Sequence, residues 1–501
     1  MKKINIFLSI LAALSLSACS LDLEPTTATV YDGVHLVVTG EDLMAAEAGF
    51  MDAYRAIHNG MYSTTEELML DGFNATASFG NNYGSVHRTD DSYTSSDDYI
   101  DSYWQNHYVV IGRYNNLIDD ISIAENVPEG YEEAASIILG EAYFCRAEAY
   151  LNLVRHYGKD YDPADAVSLG VPVVLHYDLN GRPARNTVHE VYDQIKNDLD
   201  SAAVHLAAVP GELMAAYPTM DCVNALYARY YLDTEDYDNA VTAANTVIAT
   251  GRYTLSNTIE KLTAEFVNDA GTEAIMQLPG NQNSEPVNSN SVYTSMGNSQ
   301  DHGQVFNSLY LPSRKLVDSY STTDIRGRVW LSTTDYYTEI NGSYYRGNFA
   351  TFVKYFGNPN LYSGTPNGAQ MIKPYMISEM YLIKAEAQNM GGHAADAKTT
   401  LNALQTARGA ELTSGSMTNI QNEWFRETVG EGLRLSCLKR WHIGFDAREG
   451  QPGALAVNAI MTGTYYDQRS FADDDYHLVW PVPASQIRLN PNLVQNAPYG
   501  Q

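Results

Sequence analysis

Apolar positions in the 501-residue chain recur at three- and four-residue steps over long stretches, broken by runs rich in Gly, Asn, Ser and Asp. Ile138, Ala142, Cys145, Ala149 and Leu153 share one side of a 3.6-residue turn, which predicts a helix with an inward face from Ile137 onward. Two of the five are alanines, so a neighbouring helix can come close. Gly158 is placed to end this helix in the left-handed conformation. SLGVPVVL then reads as a short extended run, and Thr187 with Glu190 forms a capping box for a further helix to Leu206. The same periodicity predicts helices over 41–59, through Leu43, Ala46, Phe50, Ala53, Tyr54 and Ile57, and over 99–123, through Trp104, Tyr108, Ile111, Asn115 and Ile118. Trp104 belongs to the core in this reading.

Two segments read as helical hairpins. In Cys222 to Ile248 the small and aromatic positions Ala225, Ala228, Tyr231, Tyr237, Ala240, Ala244 and Val247 resemble a tetratricopeptide unit, with Glu235 where that motif has glycine. Met376 to Arg408 is a second pair, turning at Gly391 and Gly392. They are too far apart for a continuous solenoid and predict helix pairs in one scaffold split by an insertion. That insertion, 254–373, carries short apolar runs (EAIMQLP, RVWL, ATFVKYF) between polar segments and reads as loop-rich α+β. Residues 71–99 read as a long loop, uncommon inside a compact domain unless it binds something. WFRETVGEGLRLSCLKRWHIG predicts one helix and a turn, and 451–501 an extended, proline-rich end. The fold expected is mostly α: a single domain over 41–501, with scaffold 41–253 and 374–450, insertion 254–373 and terminal segment 451–501.

Composition adds a surface chemistry. Tyrosine is in excess, 37 against 13 Phe and 5 Trp, and burying so many hydroxyls would require a partner for each. Surface tyrosine suits sugar rings, peptides or another protein. A net charge of −29 sets nucleic acid and anionic headgroups aside as partners. The four cysteines, Cys19, Cys145, Cys222 and Cys437, have no metal-ligand spacing. Residues 1–18 have a basic start and an apolar run too short to span a bilayer, ahead of Leu16-Ser17-Ala18-Cys19. This resembles a bacterial lipobox, so Cys19 is the expected lipidation site and 19–40 the lipidated tether and lead-in; an ordinary cleavage site with a chance cysteine is the alternative.

The order of LVRHYG, GVPVVL and RPARNTVHEVYDQIKNDLDSA resembles the SusD/RagB family of outer-membrane nutrient-binding lipoproteins. Glu431, Gly432, Arg434, Leu438, Lys439 and Arg440 match a recurrent helix core of that family. Pro481, Pro483, Ile487, Asn490, Pro491, Asn492, Leu493, Gln495 and Asn496 match its terminal block, with Gln486 where an acid is often found. The resemblance implies a SusD-like fold, a lipid-anchored protein facing the cell exterior, and capture of oligosaccharide for a SusC-like TonB-dependent outer-membrane transporter without catalysis. Peptide capture competes with glycan capture within the family, and a lipid-anchored glycoside hydrolase is a further rival.

No GxSxG, HExxH, P-loop or GxGxxG occurs. HEVYD, from His189, has Asp193 where a zinc motif needs its second histidine, and Glu190 is already committed to the cap. Asp90/Asp91, Asp97/Asp98 and Asp473 to Asp475 offer carboxylate pairs for glycoside hydrolysis or structural calcium, or simply solvated loop charge. Arg434, Lys439 and Arg440 could bind an anion or pair within the scaffold. No cofactor is implied. The candidate ligand residues are Asn81, Asn82, Tyr83, His87, Arg88 and Tyr93 in the first loop, with Tyr293, His302, Tyr336, Tyr337, Tyr344 and Tyr345 in the insertion. Rings there can stack on sugar C–H faces while amides and Arg88 bond hydroxyls, or they can pack under their own loops.

Overall fold

The computed structural model describes residues 37–500 apart from 177, 179, 282–287 and 290; the leader, Cys19 and the tether up to residue 36 lie outside the described residues. The helices that build the frame are α1 (Gly40–Ile57), α2 (Gly60–Met69), α3 (Gly84–Arg88), α4 (Asp98–Ile121), α5 (Glu132–Tyr157), α6 (Val188–His205), α7 (Met220–Asp233), α8 (Tyr237–Ala249), α9 (Ile377–Met390), α10 (Ala394–Arg408), α11 (Met417–Glu427) and α12 (Arg434–Arg440). α4, α5, α6, α7 and α8 pack in chain order, and α9 then packs on α8 although the insertion separates them in sequence. Thr187 and Glu190 form both bonds of the capping box that starts α6.

Ile138, Ala142, Cys145, Ala149 and Leu153 are all buried, but α5 has more than one inward face: Phe144, Ala147, Tyr150, Leu151 and Val154 are buried too. A helix enclosed on all sides meets a difficulty at its C-terminus, where the last carbonyls have no intrahelical donor and no water. Gly158 does not take the expected left-handed conformation; its φ of −103° and ψ of 167° are extended. A Cβ there would stand 3.0 Å from the Val154 carbonyl oxygen and 3.4 Å from Gly170 Cα, so this glycine serves close approach rather than a left-handed cap. Donors come from remote segments instead. Trp480 N–H donates to His156 O (2.8 Å), Arg185 Nη2 and Asn496 Nδ2 to Tyr157 O (3.0 and 2.8 Å), and Lys439 Nζ to Gly158 O (2.6 Å) and to Arg155 O. Arg185 also donates to the carbonyls of Leu169, Gly170 and Val494. The SLGVPVVL run is thus held as extended chain, with one bridge between Leu169 and Thr187 rather than a strand.

The segment expected as one helix and a turn is two helices, α11 and α12. Gly430 (φ 82°) and Gly432 (φ 69°) lie between them in a left-handed conformation that ends the first. Arg434 pairs with Asp71 (2.9 Å), and Arg440 with Glu386 (2.8 Å), so these cations are spent inside the scaffold. Glu67 of α2 accepts from Gly432 N–H (3.2 Å). Its carboxyl is pushed up to about 8, first by burial and then by the neighbouring Glu66 charge.

The strands that shape the loop-rich face are β1 (Phe73–Ala75), β2 (Ala274–Leu278), β3 (Met296–Ser299), β4 (Gly303–Phe306), β5 (Tyr310–Pro312), β6 (Tyr337–Ile340), β7 (Ser343–Tyr345) and β8 (Ile372–Met376). β2 and β8 pair antiparallel where the insertion leaves and rejoins the frame, and β3, β4, β6 and β7 form one sheet in that order. The 71–99 segment, read as loop, contains β1, which pairs with β5, and the short α3. A buried ring of charge also joins frame and insertion. Arg408 contacts Glu273 (2.7 Å) and Glu427 (2.5 Å), and Arg326 contacts Glu423 (2.6 Å), Glu427 (2.8 Å) and Asp324 (2.7 Å), all with side chains at most 2% exposed.

Arg185→Ala removes a donor from four carbonyls, those of Tyr157 and Gly170 buried, and is predicted to cost about 3 kcal/mol or more, whereas Arg182→Ala on the surface should stay within about 0.5 kcal/mol, both read from urea unfolding. Glu67 gives a pH test. Between the ordinary carboxylate value and about 8 the folded protein holds a proton that the unfolded chain has released, so stability falls as pH rises, by up to about 1.4 kcal/mol per unit. Glu67→Gln is expected to flatten that slope and raise Tm at pH 8 with little change at pH 5; an unaltered slope would contradict the assignment.

Candidate ligand-binding face

The hairpin β6–β7 turns at Asn341 (φ 50°) and Gly342 (φ 75°), two consecutive positive φ values in the Asn-Gly pair that two-residue hairpins favour. This turn sets the register: Ile340 faces Ser343, Glu339 faces Tyr344 and Thr338 faces Tyr345. Side chains alternate across a strand, so Tyr337, Glu339 and Tyr344 share one face while Thr338, Ile340 and Tyr345 share the other. Thr338 and Ile340 are buried, which makes theirs the inward face. Tyr345 packs on Phe349 with ring centroids 5.6 Å apart, and its hydroxyl donates to Val457 O (3.5 Å). Tyr336 likewise turns away, against Phe306 (5.2 Å) and Phe356 (6.0 Å). One member of each tyrosine doublet therefore faces out.

His302, just before β4, completes the outward set. Its ring lies 4.2 Å from that of Tyr337 and 4.6 Å from that of Tyr344, which is 38% exposed. Arg346 lays its guanidinium 5.5 Å from the Tyr337 ring centre and donates from Nε to Thr334 O (2.7 Å). The result is a ring platform with a carboxylate and a guanidinium at its edge.

The first loop is tied to this hairpin by Asn341 N–H donating to Ser78 Oγ (2.7 Å). Asn81 and Asn82 are exposed, and Tyr83 is half-buried, stacked on Tyr99 at 4.4 Å. Arg88 is held among Asn81 Oδ1 (2.7 Å), Asp90 (2.6 Å) and Ser92. The other three aromatic candidates lie inside the protein. His87 is buried with its Nδ1 2.7 Å from Leu68 O, and burial together with Arg448 lowers its pKa well below the usual histidine value. Tyr93 packs against His477 and Tyr499, and Tyr293 against Phe73 and Phe352. At most 4% exposed, these three fill space beneath the loops.

The C-terminal segment supplies residues that the sequence reading missed. Tyr465 is 42% exposed, and Tyr466 meets Phe79 edge-on at 6.1 Å beside Arg88. Their signal was a further tyrosine doublet. One aspartate of each candidate cluster is engaged locally: Asp90 with Arg88, Asp97 capping α4 at Tyr99 N–H, and Asp475 accepting from His477 N–H. A separate polar cleft of about 150 Å³ lies between α2, α5 and the root of the insertion, lined among others by His58, Glu148, Arg155, Arg229 and Glu379. Its arginines are paired, Arg229 with Glu379 and Arg155 with Asp233, each at 2.7 Å. Among the described residues no group of His, Cys, Asp or Glu could hold a metal ion.

Residues 34–232 match a SusD-like family described as starch-binding and associating with the outer membrane, and residues 340–499 match the SusD family. SusD-like protein P2 of Formosa agariphila is 26% identical over 99% of this chain and 100% of its own length. A SusD superfamily protein of known structure from Bacteroides thetaiotaomicron aligns with a TM-score of 0.72 at 23% identity, covering 92% of this chain and 100% of its own. A laminarin binding SusD-like protein aligns with a TM-score of 0.68 at 19% identity, covering 92% and 99%. The two matched segments contain the blocks that interlock at the end of α5, and the chain belongs to the SusD/RagB family.

Proposed function

We propose that this protein is an outer-membrane lipoprotein, anchored through Cys19 and facing the cell exterior, that captures oligosaccharide and passes it to a TonB-dependent transporter without breaking bonds. The observation that carries the reading is the outward set of Tyr337, Tyr344 and His302 on one sheet face, with rings 4.2 and 4.6 Å apart. Sugar C–H faces stack on such rings, and Glu339, Arg346 and, across the Ser78 link, Asn81 and Asn82 can bond hydroxyls. The starch-binding description of the matched family and the laminarin binding relative support a glycan over a peptide. The stacked helices offer a second broad surface for the transporter. Among the described residues no helix is long and apolar enough to cross a membrane.

The test is binding of the protein without its leader to starch, laminarin and a peptide panel, with product analysis of the same mixtures. At least one glycan is expected to bind and to be recovered at full length. Tyr337→Ala with Tyr344→Ala should weaken binding about tenfold or more at unchanged Tm, while Tyr345→Ala should chiefly lower Tm. Shortened glycan, or binding confined to peptides, would overturn the reading. In cells, Cys19→Ser should abolish acyl labelling and release the protein from the envelope.

A further inference from the structure

The charges around the ring platform are unequal. Over residues 296–306 and 331–349 the acids are Asp301, Asp335 and Glu339, and Arg346 is the sole Arg or Lys. Asp301 adjoins His302, Asp335 lies two residues before Tyr337, and Glu339 stands directly across from Tyr344. Neighbouring strands are about 5 Å apart, so at least Glu339 lies well within the Debye length of about 8 Å at physiological salt. Arg346 is partly committed to Thr334 O and to the Tyr337 ring. Across the Ser78 link Arg88 is paired with Asp90, Asp91 is exposed beyond it, and Arg469 is held on Thr89. The whole chain, at −29, adds a negative field.

Resting on the glycan-capture reading, we infer that this face selects uncharged glycans and that its carboxylate rim holds off polyanionic ones, such as sulfated or uronate-rich chains. An uncharged sugar meets rings and hydrogen-bond partners without crossing an unfavourable potential. A sulfate carried to the same place approaches the Glu339 carboxylate, with Asp301 and Asp335 near the platform in sequence, against one guanidinium.

The experiment compares soluble starch and laminarin with their sulfated derivatives, and with hydroxyethylated, uncharged derivatives of similar substitution, at about 20 mM and about 500 mM salt. The parent glycans are expected to bind with little salt dependence and the hydroxyethyl forms within about threefold of them, whereas the sulfated forms should be weaker by about tenfold or more at low salt and recover as salt rises. Asp301→Asn with Asp335→Asn should narrow the low-salt difference by about threefold while leaving parent binding in place. Sulfated glycan binding as tightly as its parent at low salt would overturn the inference and leave glycan capture standing. So would a hydroxyethyl form as weak as the sulfated one, because bulk rather than charge would then explain the loss. Failure of every glycan at both salts would remove the capture reading and this inference with it.

Discussion

A long helix sealed inside a protein must find donors for its last carbonyls, and the end of α5 makes that need acute. Water cannot reach Tyr157, which is fully buried, and Gly158, extended beside Gly170, makes no left-handed cap. The chain answers with Arg185, Lys439, Trp480 and Asn496, four residues from three remote segments. An unmade bond in such a place costs about 1–3 kcal/mol, so each segment is held in position by the same requirement. Burial pushes the Lys439 ammonium down to about 8, a cost that its carbonyl partners offset. The sequence blocks that resemble the family are thus explained as parts of a clamp, and their physical role is to close the frame.

From that clamp outward the structure passes from frame to face in two joints. β2 and β8 pair at the root of the insertion, and the buried ring of Arg326, Arg408, Glu273, Glu423 and Glu427 ties it to α10 and α11. Removing one member of such a ring strands a buried charge, which makes the joint all-or-none. The ring platform lies beyond both joints, on a hairpin whose register follows from two residues, Asn341 and Gly342. Chemistry and support are thereby separated: the clamp is far in sequence from Tyr337 and Tyr344, and its polar groups are spent on backbone carbonyls.

Local patterns were legible where the physics is local. The five-residue stripe of α5 and the Thr187–Glu190 box concern neighbours within two turns, and both are present. What depends on distant partners was not. β1 looks like loop because β5, its partner, lies in the insertion. Gly158 is extended because Gly170 approaches, which no local rule announces. The break between α11 and α12 was hidden by helix-forming residues on both sides of Gly430 and Gly432. At the face, the sequence marked tyrosine doublets but not which ring of each faces out, since a shift of one residue in register would exchange them. His87, Tyr93 and Tyr293 have the composition of ligand residues, and only packing assigns them to the interior.

Hydrogen exchange with and without a bound oligosaccharide tests the division between clamp and face most directly, because it reads both at once. The account predicts that the end of α5, the 182–186 segment and the terminal block exchange slowly and are unaffected by ligand, while new protection gathers at 301–306 and 335–346. Protection gathering instead around His58, Glu148 and Arg155 in the polar cleft, with no change on the β6–β7 hairpin, would contradict it.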